Sequence, residues 1–395
     1  MNILIVKLSS LGDVVHTLPV VQDILAERPD AQIDWAVEPS FAPLLALLLG
    51  SGLRRVIPCN LRRWRKSIFS VATRVEWRAF KCALQAESYD AVLDLQGLSK
   101  SALVARLARL APGGKRYAMA NRTEGSAYEA PTRWLADVAI TLEPHIHAVQ
   151  RGRELSARAL GYPLAAAPDY GLNRAPAPVG IAQAAPEIIA FVHGSSRADK
   201  QWPLENWVVL GRQLNALGYR IALPHGSDAE LATSQTIAAA LNGDDERYSD
   251  ERGGSPSSGG HGVGFAGPQA QRPSSSCKGQ RIAVGTRSDE RGGAIVWPRL
   301  PLDELTQHLA QCAGVIGVDS GLSHIAVALD LPHVQIYNFD TAWRTGPLSG
   351  TASANAPPRQ RSVFAQPPPS VQAVWDAWLS CLPSRPSVSE WQPLA

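Results

Sequence analysis

Residues 1–27, MNILIVKLSSLGDVVHTLPVVQDILAE, contain the pattern that decides the fold. Residues 3–6 form a short apolar run typical of a buried strand, and residues 14–27 have the apolar spacing of a helix. The polar segment 7–13 connects the two. A strand that leads directly into a helix begins a βαβ unit, so this stretch predicts a parallel sheet covered by helices.

The same alternation continues along the chain and predicts two α/β units, the first of them doubly wound. Residues 73–85 and 101–110 also have helical periodicity. The clearest predicted strands are residues 3–6, 33–37, 55–58 and 91–95 in the first half, and residues 188–193, 220–224, 294–297, 315–319 and 333–337 in the second. The predicted fold class is therefore α/β.

Composition divides the chain into four parts. Residues 1–165 form the first predicted unit, and residues 187–365 form the second. Between them, residues 166–186 are rich in alanine and proline, and prolines interrupt regular elements, so this segment is predicted to be a linker. Residues 366–395 are predicted to be a C-terminal tail.

One segment of the second unit breaks the alternation. Residues 243–287 are dominated by glycine, serine, proline and charged residues, and the hexapeptide SDERGG occurs at 249–254 and again at 288–293. The repeat predicts a largely disordered insertion with a duplicated boundary, in a helix-to-strand connection. Such connections lie at the sheet edge opposite the one that binds ligands, so the insertion should leave a ligand-binding site intact. The alternative interpretation is a functional regulatory loop.

The composition excludes several classes of protein. A chain of 395 residues with 45% hydrophobic and 18% charged residues is too apolar to be disordered. Its longest apolar run, residues 41–49, is too short to cross a bilayer. Lys7 interrupts the N-terminal apolar run, so no signal peptide is predicted and the protein is expected in the cytoplasm. The five cysteines are far apart, without spacing suited to zinc, and are predicted to be reduced.

Positive charge is concentrated in one segment. The net charge is +3, but residues 54–81 carry nine Lys or Arg and one acidic residue, Glu76, so this segment has a charge of +8 and the rest of the chain −5. This concentration predicts one local anionic partner and argues against nucleic-acid binding. The stretch LRRWRK at 61–66 would suit phosphate or carboxylate groups at a membrane surface; a solvated helical face is the alternative.

Three polar segments follow predicted strands, where parallel sheets bind ligands. Asp13 lies in the first segment and could accept a proton from a bound hydroxyl, or it could cap the helix. The second segment, VHGSSRADKQWP at 192–203, combines hydroxyls and cations suited to phosphate. It lacks the glycine and lysine spacing of a P-loop, so a plain polar loop is the alternative.

The third segment, GVDSGLSH at 317–324, leads into an apolar helix. The backbone N–H groups of residues 320–322 would then face a ligand, and such a helix N-terminus can bind a diphosphate without a metal. Asp319 could instead be only a helix cap, and His324 only a packing residue. Together the three segments predict a ligand that carries phosphate.

These residues are similar to those of a known family, because the chain resembles the ADP-heptose:lipopolysaccharide heptosyltransferases, most closely the members that act first on the inner core. The shared stretches are IVKLSSLGD at 5–13, RRWRK at 62–66, DLQGL at 94–98, DKQWP at 199–203 and VDSGLSH at 318–324. The resemblance covers nearly the whole chain except the insertion and the segment after about Gly346.

The resemblance implies a glycosyltransferase B-type fold, in which two Rossmann-like domains face a cleft, the first holding the acceptor and the second the nucleotide sugar. It implies inverting transfer of heptose from ADP-L-glycero-D-manno-heptose to the Kdo residue of Kdo-lipid A in lipopolysaccharide core synthesis. The reaction would take place at the cytoplasmic face of the bacterial inner membrane, without a cofactor or metal. The alternatives are a transferase that acts on an already heptosylated core and an inactive relative that only binds the nucleotide sugar.

The resemblance also implies roles for individual residues. Asp13 would be the general base. On the donor side, Ser195, Ser196 and Lys200 would hold the diphosphate, Glu230 would contact the adenosine ribose, and Asp319, Ser320, Gly321 and His324 would lie beside the heptose and the diphosphate. The anionic acceptor would be bound by Arg62, Arg63 and Lys66. Residues 338–343, NFDTAW, do not keep the family's Pro-Thr-Asp-Pro turn, which leaves the diphosphate contacts there undefined.

Overall fold

Two six-stranded parallel sheets form the centre of the structure, a computed structural model that describes residues 1–165, 167–172, 187–243, 292–348 and 358–382. The strands of the first sheet are β1 (Asn2–Val6), β2 (Gln32–Val37), β3 (Arg55–Pro58), β4 (Ser88–Asp94), β5 (Arg109–Met119) and β6 (Val138–Ile140). Those of the second are β7 (Ile188–Val192), β8 (Arg220–Leu223), β9 (Ala294–Val296), β10 (Gly314–Val318), β11 (His333–Tyr337) and β12 (Gln360–Phe364). The predicted α/β class is confirmed.

Helices connect these strands. Those of the first unit are α1 (Leu11–Val15), α2 (Leu18–Glu27), α3 (Ala42–Ala46), α4 (Leu61–Lys66), α5 (Val71–Leu84), α6 (Ser99–Leu107), α7 (Thr132–Leu135) and α8 (Ala148–Leu160). Those of the second are α9 (Leu204–Ala216), α10 (Asp228–Asn242), α11 (Leu302–Ala310), α12 (Gly321–Ala328), α13 (Ala342–Thr345) and α14 (Val371–Cys381). Within the described ranges, no helix is both long enough and apolar enough to cross a membrane.

The two sheets have the same topology. The first has the strand order β3-β2-β1-β4-β5-β6, and the second, read from its other edge, has the order β9-β8-β7-β10-β11-β12. In each sheet the order reverses beside the first strand of the unit, β1 or β7. Ligands bind at such switch points, outside the carboxyl ends of the strands, so the topology places one candidate crevice in each unit.

The core explains why these strands form. The strand residues from Ile3 to Val6 are fully buried, because a central strand of a parallel sheet is covered on both faces. One apolar cluster contains residues of both units, with Val14 from the first and Val192 and Ile325 from the second. The two units therefore pack against each other near the switch points.

Several predicted boundaries differ from the structure. The helix predicted at 14–27 is divided into α1 and α2, because Pro19 has no N–H and is accommodated only in the first turn of a new helix. The helix predicted at 101–110 ends at Leu107, since Arg109 and Leu110 already pair with β4 as part of β5. Strands β5, β6 and β12 are missing from the predicted set.

Residues 366–382, placed in the predicted C-terminal tail, instead contain α14. Its residues Val374, Trp378 and Cys381 are buried in the core of the second sheet. The indole N–H of Trp202 donates to the carbonyl oxygen of Pro369 at 2.7 Å, which holds the approach to this helix. The second unit therefore extends at least to Cys381.

Other predictions fall on residues that the structure does not describe. These residues include 173–186 of the predicted linker, 244–287 of the predicted insertion with the first copy of the repeat, and 383–395 of the predicted tail. Of the cysteines, Cys59, Cys82, Cys312 and Cys381 are described, and none of these four is in a disulfide.

Candidate active site

A cleft of about 610 Å³ lies between the two units, beside the ends of β1, β7 and β10. Its walls include Asp13 and every residue to which the resemblance assigns donor binding: Ser195, Ser196, Lys200, Glu230, Asp319, Ser320, Gly321 and His324. The structure thus brings together residues from four separate segments of the sequence: the three polar segments, and the first turn of α10, which contains Glu230. Arg62, Arg63 and Lys66 are not part of these walls.

Asp13 lies in the first turn of α1, directly after β1. Its Oδ2 accepts hydrogen bonds from the Ser10 backbone N–H at 3.1 Å and from the Ser10 hydroxyl at 3.0 Å. The carboxylate therefore stabilises the helix start, as one of the two interpretations of the sequence predicts. One third of the side chain remains exposed to the cleft, so this contact does not prevent it from reaching a ligand.

Two buried cations hold the same carboxylate. Lys7 Nζ lies 3.4 Å and Arg151 Nη2 lies 3.5 Å from Oδ1 of Asp13. Burial alone would raise the pKa of Asp13, but Lys7, Arg151 and the Ser10 hydrogen bonds outweigh it and lower the pKa to about 2. The side chain is therefore a carboxylate at neutral pH, in the form needed to accept a proton.

In the second unit, Asp319 follows β10 and fixes a lysine at the cleft wall. Lys200 Nζ donates to Oδ2 of Asp319 at 2.5 Å, and His324 Nε2 lies 3.5 Å from Oδ1. Burial favours a higher pKa for Asp319, but the hydrogen bonds and charges of His324 and Lys200 hold the pKa well below its usual range. Asp319 is therefore an ionised partner of Lys200, not only a helix cap.

The N-terminal ends of α1 and α12 pack directly against each other at the wall of the cleft. A Cβ added to Gly321 would lie 2.6 Å from the Leu11 side chain, and one added to Gly12 would lie 2.8 Å from Cδ2 of His324. Both positions require glycine because the opposing side chain occupies the space. This close approach places Asp13 and the start of α12 in the same cavity.

Ser195 and Glu230 line the cleft from the second unit. Glu230 Oε2 accepts from the Gly226 backbone N–H at 2.6 Å, and a Cβ added to Gly194 would lie 2.5 Å from Oε1. The missing side chain at Gly194 therefore makes room for the Glu230 carboxylate. Ser195 is half-buried and Ser196 is exposed beside it, and both residues line the cavity.

The residues predicted to bind the acceptor lie outside the cleft, on the surface of α4. Arg62 Nε lies 3.1 Å from Oε1 of the buried Glu38, and Arg63 Nη1 lies 3.2 Å from Oε1 of Glu76. All three predicted residues, Lys66 included, are exposed. The basic segment therefore forms a surface of the first unit, separate from the donor-side residues.

Sequence reasoning missed the cleft residues Arg151 and Arg344. Arg151 lies on α8, whose charged residues have the pattern of an ordinary amphipathic helix, so only its burial distinguishes it. Arg344 lies on α13, which begins within the NFDTAW segment that departs from the family pattern. Its guanidinium packs directly against the backbone of Gly125 in the first unit. Within the described ranges, no group of three or more His, Cys, Asp or Glu residues is arranged to hold a metal ion.

The chain is similar to known proteins over most of its length. The sequence profile of glycosyltransferase family 9 (heptosyltransferase) matches residues 77–246 and 257–363, which reaches into the predicted insertion and past Gly346. Lipopolysaccharide heptosyltransferase 1 of Escherichia coli strain K12 is 34% identical over 347 residues, which cover 85% of this chain and 88% of that protein.

Solved structures agree with this similarity. The E. coli heptosyltransferase WaaC with ADP is 30% identical, with a TM-score of 0.71 over 95% of this chain and 98% of that one. The same E. coli protein with ADP-2-deoxy-2-fluoro heptose has a TM-score of 0.65 over the same shares. The architecture of two Rossmann-like units facing a cleft, the glycosyltransferase B-type fold, is confirmed.

Proposed function

The chain belongs to glycosyltransferase family 9, the heptosyltransferases, and we propose that it transfers heptose from ADP-heptose to the Kdo residue of Kdo-lipid A with inversion. Glycosyltransferase activity in lipopolysaccharide synthesis follows from the family and from the 34% identity over 85% of the chain. An ADP-heptose donor follows from the 30% identical WaaC structure, which was solved with an ADP-heptose analogue. The Kdo-lipid A acceptor is the part of the proposal that goes beyond these comparisons.

The observation that carries the proposal is a single cleft with opposite chemistry on its two walls. Asp13 of the first unit is an ionised carboxylate that can accept a proton. Across from it, Lys200 and the start of α12 present positive charge and backbone N–H groups. An inverting transferase requires this combination, because the acceptor hydroxyl attacks and loses its proton on one face of the donor sugar, while the leaving group departs from the opposite face.

In the proposed reaction, a Kdo hydroxyl attacks the anomeric carbon of the heptose from the face opposite ADP. A new C–O bond forms while the bond to the β-phosphate oxygen breaks, and the hydroxyl proton passes to the Asp13 carboxylate. Lys7 and Arg151 keep this carboxylate ionised and oriented before the reaction. Because the pKa of Asp13 is about 2, the proton is then released to water.

The donor is proposed to lie along the second unit. Lys200, held by Asp319, would compensate the charge that develops on the β-phosphate, together with the N-terminus of α12. The hydroxyls of Ser195 and Ser196 would bind the diphosphate, and Glu230 would accept hydrogen bonds from the ribose. Each of these groups lines the same cavity.

The acceptor is an anionic lipid, so the enzyme is proposed to work at the cytoplasmic face of the inner membrane. The exposed Arg62, Arg63 and Lys66 support this proposal, because the first unit concentrates its positive charge there. Arg62 and Arg63 would exchange part of their contact with Glu38 and Glu76 for the phosphate and carboxylate groups of the acceptor.

Mass spectrometry of two acceptors tests the proposal. The protein is incubated with ADP-heptose and either Kdo-lipid A or the same acceptor already carrying one heptose. We expect one added heptose on Kdo-lipid A alone. Addition only to the heptosylated acceptor would reassign the enzyme to the second transfer, and addition to neither acceptor would overturn the proposed reaction.

A further inference from the structure

Exposed apolar side chains lie directly beside the basic segment of the first unit. Ile68, Phe69, Val71 and Val75 are 57, 84, 73 and 60% exposed. We call these four residues the 68–75 surface. Along the sequence, the other exposed large apolar residues of the described chain occur singly or in pairs, so the 68–75 surface is the densest such stretch among them.

The sequence of α5 divides this helix into two faces. Thr73, Phe80 and Leu84 are buried against the first unit. The residues at the i, i+3, i+4 and i+7 positions from Val71 are Val71, Arg74, Val75 and Arg78, and all four are exposed. The outward face of α5 therefore combines apolar and cationic side chains, where an ordinary surface helix is mainly polar.

The exposed residues are held in place by packing beneath them. The Trp64 indole lies edge-on to Trp77, with 5.5 Å between ring centroids, and 5.4 Å from the ring of Phe80. Trp64 Nε1 also donates to Oε2 of Glu76 at 2.9 Å, which fixes α4 against α5. Arg74 Nη2 donates to the Phe69 carbonyl oxygen at 3.0 Å. The fold thus presents Phe69 to solvent in a defined position.

The cations around the 68–75 surface are only partly compensated by the acidic residues that the structure describes. Arg62 and Arg63 pair with Glu38 and Glu76, as described above. In contrast, the part of the chain that the structure describes offers no ion-pair partner to four exposed cations: Arg65, Lys66, Arg74 and Arg78. An apolar centre with free cations at its edge is complementary to a surface of anionic headgroups over acyl chains.

We propose that the 68–75 surface inserts into the headgroup region of an anionic lipid bilayer, with Phe69 inserted most deeply. Arg65, Lys66, Arg74 and Arg78 contact the lipid phosphates, while their aliphatic stems extend the apolar contact. Electrostatic attraction and apolar insertion together give stable but reversible attachment, which neither provides alone. The choice of a bilayer as the partner rests on the proposed function, because the proposed acceptor is itself a lipid.

Sedimentation with vesicles tests this proposal without donor or acceptor. The full-length protein is mixed with vesicles of phosphatidylcholine and phosphatidylglycerol, and with vesicles of phosphatidylcholine alone. We expect binding to the anionic vesicles, and for the double variant Phe69→Ser/Val75→Ser a partition coefficient that is lower by about tenfold or more. The matched control, Trp134→Ser/Val209→Ser, removes two exposed apolar side chains elsewhere and should bind like the unmodified protein.

Two outcomes overturn the proposal. One is equal vesicle binding by Phe69→Ser/Val75→Ser and the unmodified protein, which would mean that attachment is electrostatic only. The other is the absence of binding to anionic vesicles, which would assign the 68–75 surface to a protein partner. Transfer to a Kdo acceptor without acyl chains is measured separately and should be retained by Phe69→Ser/Val75→Ser. If the unmodified protein does not transfer heptose to this acceptor, the proposed function is contradicted. The vesicle result does not depend on transfer and still decides whether the 68–75 surface binds a bilayer.

Discussion

The two sheets share one topology, yet the turn after the equivalent strand is used differently in each unit. At the end of β4, its last residue Asp94 accepts hydrogen bonds from the backbone N–H groups of Gln96 at 3.1 Å and Gly97 at 3.3 Å. After β10, Asp319 instead accepts from Lys200 and Thr345, on other elements. The first turn is thus filled by its own carboxylate, whereas the second leaves the start of α12 at the wall of the cleft.

The filled turn of the first unit supports the proposed base. Gln96 Oε1 accepts from the backbone N–H groups of Leu8 at 2.9 Å and Ser9 at 3.0 Å. These residues belong to the loop that leads from β1 to Asp13. In one unit the switch point therefore holds a neighbouring loop in place, and in the other it faces the cleft directly. Equal topology provides two crevices, and the side chains decide which of them can receive a ligand.

The largest expected effect comes from removing the carboxylate that the first turn supports. Asp13→Ala should lower kcat by about 10³-fold, because the acceptor hydroxyl loses its general base. ADP-heptose affinity, measured by calorimetry, should be largely unchanged, because the proposed nucleotide contacts belong to the second unit. A loss of affinity that matches the loss of kcat would show that Asp13 acts in donor binding instead.

Much of this arrangement follows from local sequence patterns. Asp13, Lys200 and Asp319 lie in polar segments directly after apolar runs, and parallel strands bring such segments to one edge of a sheet. The contact of Arg151 with Asp13 depends on the packing of α8 against the first unit, and no local pattern reports it. Strand β5 is not predicted for a different reason: its sequence RLAPGGKRYAM contains proline and glycine and lacks an apolar run.

The same substitution in the two equivalent turns tests the comparison directly. Asp319→Asn removes the negative charge that fixes the Lys200 ammonium, so we expect kcat/KM for ADP-heptose to fall about 100-fold. Asp94→Asn should affect kcat/KM far less, because Asp94 contacts its own turn and not the cleft. Steady-state kinetics of both variants and of the unmodified protein measure these changes in kcat/KM. Equal losses in the two variants would mean that the turns do not differ in the way the contacts indicate.

The smallest expected effect concerns stability and its dependence on pH. Burial raises the pKa of Asp94 to about 6, although the hydrogen bonds from Ser101, Gln96 and Gly97 favour a lower value. In the unfolded chain the pKa is about 4. The folded protein therefore binds this proton more tightly, so the contribution of Asp94 to stability is fully present below about pH 4 and is lost as the pH rises through about 6.

Asp94→Asn removes this pH dependence and keeps an oxygen that can accept from Gln96 and Gly97. Relative to the unmodified protein, the free energy of unfolding of the variant should increase by roughly 2 kcal/mol between about pH 4 and pH 7. Asp13 and Asp319, whose lowered pKa values act in the opposite direction, are present in both proteins and cancel in the difference. Urea denaturation of both proteins across this pH range measures the difference in their free energies of unfolding. A difference that does not change with pH would show that the folded protein does not raise the pKa of Asp94. The turn after β4 would then be open to water and not filled by its own side chain.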